Sequence, residues 1–351
     1  QGSQYSYLRS TTGDNRELIW VSYFGDFDYN FRNKYYINAN LSYDGNSAVN
    51  SDNRYNFYTS VGAAWRLSSE NFLNQVNWLD DLKLRGSYST TGNMFSTIYD
   101  YSKLYYTDRR FNGIGVLTRE IIPNENMELE KQNIINAGLD LSIVKQQVNL
   151  HFDVYKSNVN NLIIRQELPL TYGYTNYFDN GGKIESTGFE LSADTRFHFN
   201  ELIWTLGGSI SKEVTEVKSL TFINPNTSNI ITTIEAAQFI TSVGNAVNAY
   251  YGYKTNGLLT SSDAAAGITG PKGNLMQEGD IKFVDKNGDN GINDIDKTII
   301  GNPNPDFFGG FFTSFTYRNI SLSAMFNYSV GNDVFNYVRL KMESMSEYTN
   351  K

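Results

Sequence analysis

Apolar and polar residues change places at nearly every step along much of this chain. In YYINANLSYD, Tyr35, Ile37, Ala39, Leu41 and Tyr43 are apolar, while Asn38, Asn40, Ser42 and Asp44 are polar. VNLHFDVYK sets Val148, Leu150, Phe152 and Val154 against Asn149, His151 and Asp153. FELSADTRFHF (189–199) and NISLSAMFNYSV (319–330) repeat the arrangement. A period of two sends successive side chains to opposite faces of a β-strand. Further strands are expected near 17–31, 55–67, 81–89, 133–143, 203–213 and 307–317. Each is about nine residues or longer, enough for a tilted strand to cross a bilayer.

The connections alternate as well. Short turns are expected at Arg32–Lys34, Lys145–Gln147, Asn200–Glu201 and Arg318–Asn319, with a somewhat longer link at 68–80. Between them lie the long segments 90–132, 157–186 and 214–306. Short turns on one side and long loops on the other are the arrangement of an outer-membrane barrel. Helix is expected only as a turn within 68–82, with Ser68 or Ser69 as cap, and again at 261–267. An all-β fold follows: an antiparallel transmembrane β-barrel wall of about ten strands with long extracellular loops. A closed sheet in lipid gives the apolar row a dry neighbour and the polar row water. The same rows fit a soluble sandwich, so a secreted or surface calcium-binding β-sandwich or adhesin is the alternative.

Composition narrows the class. Tyr 25 and Phe 22 bring aromatics to 15 %, there is no cysteine, and the formal net charge is −8. The acidic balance and the lack of a basic patch argue against nucleic acid. Without cysteine there is neither a disulfide scaffold nor a thiolate metal site. QGSQYSYLRS lacks the basic and apolar regions of a secretory leader, and MESMSEYTNK lacks a terminal-strand pattern. The chain is expected to be an internal piece, 1–351 forming part of a barrel, with 214–306 as its longest extracellular loop.

That loop carries the most specific chemistry. DKNGDNGINDID spaces Asp285, Asn287, Asp289, the Gly291 carbonyl, Asn293 and Asp296 as a calcium loop spaces its oxygens. Asn290 stands where such loops usually have glycine, and Asp296 is shorter than the usual closing glutamate. One structural hard cation, calcium before magnesium, is expected there; a solvated acidic turn is the other reading. Tyr172, Tyr174 and Tyr177, with Tyr250, Tyr251 and Tyr253, could stack on a sugar ring or meet a partner protein; loop packing or an interfacial girdle is the favoured reading for any single ring. No catalytic role is assigned. His151 and His198 fall on polar rows, the carboxylates form no acid–base pair, and GxSxG, HExxH and phosphate-loop motifs are lacking.

Several segments resemble the SusC/RagA class of TonB-dependent outer-membrane transporters. They are YTSVGAAWRLSSENFL (58–73), LDDLKLRGSYSTTGN (79–93), PNENMELEKQNIINAGLDL (123–141), GGKIESTGFELSA (181–193), VGNAVNAYYGYKTNGLL (243–259) and GDIKFVDKNGDNGINDIDKTIIGNPNPDFFGGFF (279–312). Together, and in this order, they cover most of residues 20–336. The resemblance implies a 22-stranded barrel, of which this chain supplies about ten strands. It also implies import of oligosaccharides or peptides, energy from the TonB complex, and a SusD-like surface lipoprotein as partner.

Overall fold

The computed structural model describes residues 18–47, 51–93, 105–111, 114–119, 121–122, 124, 126–174, 176–222 and 227–343. The terminal segments read above as non-leader and non-strand lie outside these residues, apart from 342–343. β1 (Trp20–Phe31) and β2 (Tyr35–Asn46) form a hairpin, followed by β3 (Tyr55–Arg66) and β4 (Leu79–Asn93). Two short strands, β5 (Tyr105–Phe111) and β6 (Ile114–Arg119), pair in the next connection, and β7 (Ile121–Ile122) follows them. Then come β8 (Glu130–Ile143), β9 (Val148–Glu167), β10 (Asn176–Phe199) and β11 (Leu202–Leu220).

The connection after β11 carries its own structure: β12 (Asn229–Ile234), β13 (Ala237–Ser242), β14 (Ala249–Gly252), β15 (Thr255–Leu258), helix α1 (Ser261–Ala265), β16 (Ile281–Phe283) and β17 (Thr298–Gly301). β18 (Phe307–Tyr317) and β19 (Ile320–Val330) return to the wall, and α2 (Tyr337–Glu343) ends the described chain. The wall order is β1-β2-β3-β4-β8-β9-β10-β11-β18-β19, antiparallel throughout, with β7 added in parallel to β10.

Register shows why the alternation exists. One line of opposed residues runs Trp65, Leu84, Leu139, Phe152, Leu191 and Ile210. One step along, the line runs Lys83, Asp140, His151, Ser192 and Ser209. From β4 to β11 the wall therefore has one apolar and one polar face, while in β1, β18 and β19 Phe24, Phe308, Phe312 and Met325 stand on the polar side. Among the described residues no second sheet covers the apolar face, and Tyr23, Phe27, Ile37, Ile135, Leu322 and Phe326 lie exposed on it. A sandwich would bury that row between two layers, so the sandwich reading fails here; lipid is the neighbour that this face fits.

Aromatic rings gather at the levels where headgroups would meet the wall. At the short-turn end Tyr29, Phe31, Tyr35 and Trp65 stack in sequence at 6.4–6.5 Å, and Trp204 lies between Phe197 (5.4 Å) and Phe315 (5.5 Å). At the other end Tyr43 stacks on Tyr55 at 5.2 Å. Tyr35 and Tyr43 lie about 26 Å apart along their strand at 3.3 Å per residue, close to the roughly 25 Å apolar band of such barrels. The expected hairpin turns are present. Arg32 and Asn33 (φ 55° and 54°) are left-handed in the three-residue turn after β1, Val144, Lys145 and Gln146 (φ 56°, 58° and 60°) in the four-residue turn after β8, and Asn200–Glu201 and Arg318–Asn319 are two-residue connections.

Two expectations need correction. The long connections are shorter than read from the sequence, because β9 runs on to Glu167, β10 begins at Asn176 and β11 runs on to Leu220. Above the lipid these strands keep their backbone ladder but lose the apolar alternation that marked them. Within 68–82 there is only a 3-10 turn, Leu67–Ser69, with no side-chain cap, and β4 already begins at Leu79. The helix at 261–267 is present as α1, where Thr260 and Asp263 form a reciprocal cap.

The extended β9–β10 ladder contains two irregularities, a lower one on β9 and an upper one on β10. In the upper one Leu162 pairs Gly182 but Ile163 pairs Asn180, so β10 carries an extra residue, Gly181, and the register is restored. In the lower one Val159 pairs Ile184 but Leu162 pairs Gly182, so β9 carries one extra residue, and Asn161 there has φ 57°. This is a β-bulge with a left-handed residue, a position asparagine tolerates. Below it the even residues Phe152, Val154 and Lys156 are exposed; above it Ile164 and Gln166 are buried while Arg165 and Glu167 are exposed.

Candidate functional site: the polar face and the loop layer

On the polar face, β4, β8 and β9 bring five charged or titratable side chains together. Arg85 grips Asp153 with both terminal nitrogens (2.7 and 2.5 Å) and reaches Asp140 through Nε at 3.2 Å. Lys83 Nζ lies 3.2 Å from Asp140, and His151 Nδ1 2.9 Å from it. Register alone accounts for the meeting, since Lys83, Asp140 and His151 are successive cross-strand partners. A concavity of about 670 Å³ on this face is lined by Asp28, Asn38, Arg66, Asp81, Lys83 and Arg85, among others, with Arg66 paired to Asp81 at 2.7 Å. The arrangement offers a solute a hydrated surface of both signs with its charges mutually paired. His198 lies near the end of β10, opposite Ile203, apart from this group.

A second cluster joins the wall to the loops, and the sequence reading passed over it as a site. Leu129 and Met127 are buried, and Glu130 beside them is 5 % exposed. Its carboxylate accepts from the Ile163 backbone N–H (2.8 Å) and from Asn93 Nδ2 (3.1 Å), tying β4, β8 and β9 together. Asn180 accepts from the Glu128 N–H and donates to the carbonyls of Glu128 and Asn161. Asn124 donates to the Phe178 carbonyl. The signal was the MELE segment itself, one of those carrying the family resemblance.

Asp285 to Asp296 does form one compact loop, as its spacing implies. Gly288 and Asn290 have φ 75° and 59°, so asparagine makes the turn where such loops usually use glycine. The oxygens point mainly to the loop's own donors. Asp285 accepts from the N–H groups of Gly288 (2.6 Å) and Asn290 (2.8 Å). Asp289 accepts from the Gly291 N–H (2.7 Å) and Asn287 Nδ2 (2.9 Å). Asn293 caps Ile295 and donates to the Gly291 carbonyl at 3.0 Å.

Asp296, fully buried, accepts from the Lys286 and Asn293 N–H groups, both at 2.8 Å. Those donors, Asn293 first, hold its carboxyl below the usual range. Among the described residues no group of three or more His, Cys, Asp or Glu is disposed to hold a metal ion. As arranged, the six residues form a hydrogen-bonded knot.

The tyrosines separate into two groups. Tyr250 and Tyr251 sit on β14 in the four-stranded loop sheet β12-β13-β14-β17. Tyr250 packs on Phe239 (5.2 Å), and its hydroxyl accepts from the Phe335 N–H at 3.1 Å. Tyr253 lies against Phe283 (5.5 Å) under the Lys297 ammonium (5.4 Å), and burial raises its hydroxyl pKa. Tyr250 and Tyr253 thus hold the loop layer together. Tyr172 ends a 3-10 turn and is exposed; Tyr174 is half-buried; Tyr177 pairs with Gln166 within the extended ladder.

Residues 2–336 match the family described as TonB dependent receptor-like, beta-barrel. TonB-dependent receptor P3 of Formosa agariphila is 30 % identical over 97 % of this chain and 34 % of its own length. TonB-dependent receptor SusC of Bacteroides thetaiotaomicron is 27 % identical over 93 % of this chain and 33 % of its own length. The solved RagAB peptide importer in its closed-closed state shares the fold, with a TM-score of 0.73 at 24 % identity over 89 % of this chain and 33 % of that one. The chain spans about a third of the length of these relatives. A two-faced antiparallel wall, a layered set of loops at one end and these matches lead to one assignment: the chain belongs to the TonB-dependent receptor β-barrel family, in its SusC/RagA group of outer-membrane proteins.

Proposed function

We propose that this chain forms barrel wall and outer loop layer of a TonB-dependent importer that takes up oligosaccharides or peptides. The polar face carries the reading: its paired charges, Lys83, Arg85, Asp140, His151 and Asp153, line an interior through which hydrated solutes pass without meeting an unpaired charge. The family is one of transporters and receptors, and no reaction is assigned. A SusD-like surface lipoprotein would dock on the loop layer, and TonB would supply energy from the inner membrane; the shared fold with the RagAB peptide importer makes peptides the first class to test.

Uptake of labelled oligosaccharide and peptide pools is the measurement. Cells lacking the gene should lose uptake of one pool, and dissipating the proton-motive force should abolish the same uptake in wild-type cells. Uptake that persists after both treatments rejects the importer reading. Extraction in mild detergent without any co-purifying surface lipoprotein rejects the partner.

A further inference from the structure

At β18 and β19 the interior face changes character, because Phe308, Phe312 and Met325 stand exposed on it. Between these apolar side chains one register line crosses four strands: Ser192, Ser209, Gly310 and Asn327. The small residues leave a trough of about 600 Å³, with Phe308 on one bank and Asp194, Phe312 and Met325 on the other. The Phe312 ring reaches across Gly207, where a Cβ would lie 2.5 Å from it. Asn327 leans over Gly310, its Oδ1 2.8 Å from where a Cβ would stand. Asp194 accepts from Asn149 Nδ2 at 3.0 Å. Among the described residues the Ser192 and Ser209 hydroxyls and the Asn327 amide hydrogen-bond to no other residue. The line lies seven residues from the short turns (Ser192 from Phe199, Asn327 from Ile320), about 23 Å along the strand, so the trough sits toward the long-loop, outer side.

The chemistry of the trough selects its occupant. Its floor is neutral, and the one carboxylate on its bank already accepts from Asn149, so it suits an uncharged polar solute. A pyranose has C–H faces and a rim of hydroxyls. The C–H faces are drawn to the negative face of an aromatic ring, and the hydroxyls both donate to and accept from Ser and Asn side chains. Phe308 and Phe312 are four residues apart, about 13 Å, which is room for one sugar ring with a van der Waals contact on each side. Floor groups on adjacent strands stand about 4.8 Å apart, out of step with the roughly 3.4 Å repeat of an extended peptide laid along the trough. Met325, flexible and polarisable, fits the bank to rings of different shape. We propose that the trough is a sugar subsite on the import path, an inference that rests on the importer reading. One pyranose unit of a neutral oligosaccharide lies between Phe308 and the Phe312–Met325 bank, its hydroxyls bonded to Ser192, Ser209 and Asn327.

The test uses cells carrying the full-length transporter, with its amount in the outer membrane measured for every variant. The probes are a labelled pool of neutral oligosaccharides and a labelled peptide pool, each supplied below saturation. Phe312→Leu keeps an apolar side chain but loses the ring, and should slow oligosaccharide uptake about fivefold. Phe312→Tyr keeps the ring and should leave uptake near that of the wild type. Asn327→Ala leaves both rings in place and should slow uptake about threefold. Oligosaccharide uptake unchanged in both Phe312→Leu and Asn327→Ala overturns the proposal. Uptake of the peptide pool alone, slowed by Phe312→Leu, also overturns it but leaves the importer reading standing, the trough then holding an apolar side chain. Uptake of neither pool by wild-type cells removes the importer reading itself, and this subsite with it.

Discussion

In the wall a residue's neighbours follow from register; in the loop layer they follow from which side chain reaches which backbone group. Leu139 meets Leu84 and Phe152 because three strands align, and the rest of that row would obey the same rule with other apolar residues. Asp296 meets the Lys286 and Asn293 N–H groups because its short carboxylate fits under one particular turn. The wall tolerates exchange within a face and resists exchange between faces. The loop layer depends on single atoms. Unpaired backbone groups are costly in both, but the wall satisfies them in one continuous ladder, and the loop layer combines short ladders with individual side-chain oxygens.

The contrast is broken most strongly at the middle of the wall. Leu139→Arg sets a charge on the lipid face and is expected to cost about 2–4 kcal/mol, read as a fall in the urea midpoint in detergent micelles or bilayers. Ser192→Arg, on the polar face, should leave that midpoint nearly unchanged; equal losses would erase the distinction between faces.

A smaller effect is expected where the two regions join. Glu130→Ala removes the acceptor for the Ile163 N–H and should cost about 1–3 kcal/mol locally. Hydrogen exchange should speed up at 159–167, while the ladder around Leu139 stays protected. In the loop knot, Asp296→Ala should raise exchange across 285–296 and leave β16 and β17 paired. Chelation with EDTA should leave the same amides unchanged, since hydrogen bonds within the loop account for its shape; faster exchange on chelation would restore the cation that the spacing suggests.

The smallest effect concerns acid. Lys282 and Thr260 hold the Asp263 carboxyl down at about 2, against an ordinary 3.8. Its folded value is depressed, so its contribution is complete above the ordinary value and is lost as pH falls through the folded one. The α1 cap should survive at pH 4 and open toward pH 2, followed by exchange at the Asp263 N–H. Opening already at pH 4 would show that the pair with Lys282 does not form.

Much of the wall could be read in the sequence because lipid imposes period two on the side chains. Strand ends could not. Residues 157–167 and 214–220 pair in the ladder but lie beyond the lipid, so nothing forces VNNLIIRQE or EVTEVKSL to alternate. The loop at 285–296 was legible as a loop, yet the direction of its oxygens was not. Asp, Asn and Gly at these spacings serve a metal shell and a chain of backbone caps equally well. Glu130 was quoted only as part of a resembling motif, since a buried acid bound to a distant N–H leaves no periodic trace. Of the tyrosines, Tyr250 and Tyr253 have packing partners, Phe239, Phe283 and Lys297, that lie far from them in sequence and so could not be read from it.

The extra residue at Asn161 makes β9 a phase converter. Before it, even-numbered side chains face lipid; after it, Ile164 and Gln166 face the protein's interior. Any graft exchanging outer loops between related barrels must therefore conserve parity as well as length. A cut placed below Asn161 carries the converter with the loop, and a cut above it leaves the converter in the wall. The extra residue Gly181 on β10 matches the one on β9, so a graft must keep the two together; joining halves with only one of them would slip the upper ladder by one residue and turn Ile164 out to solvent.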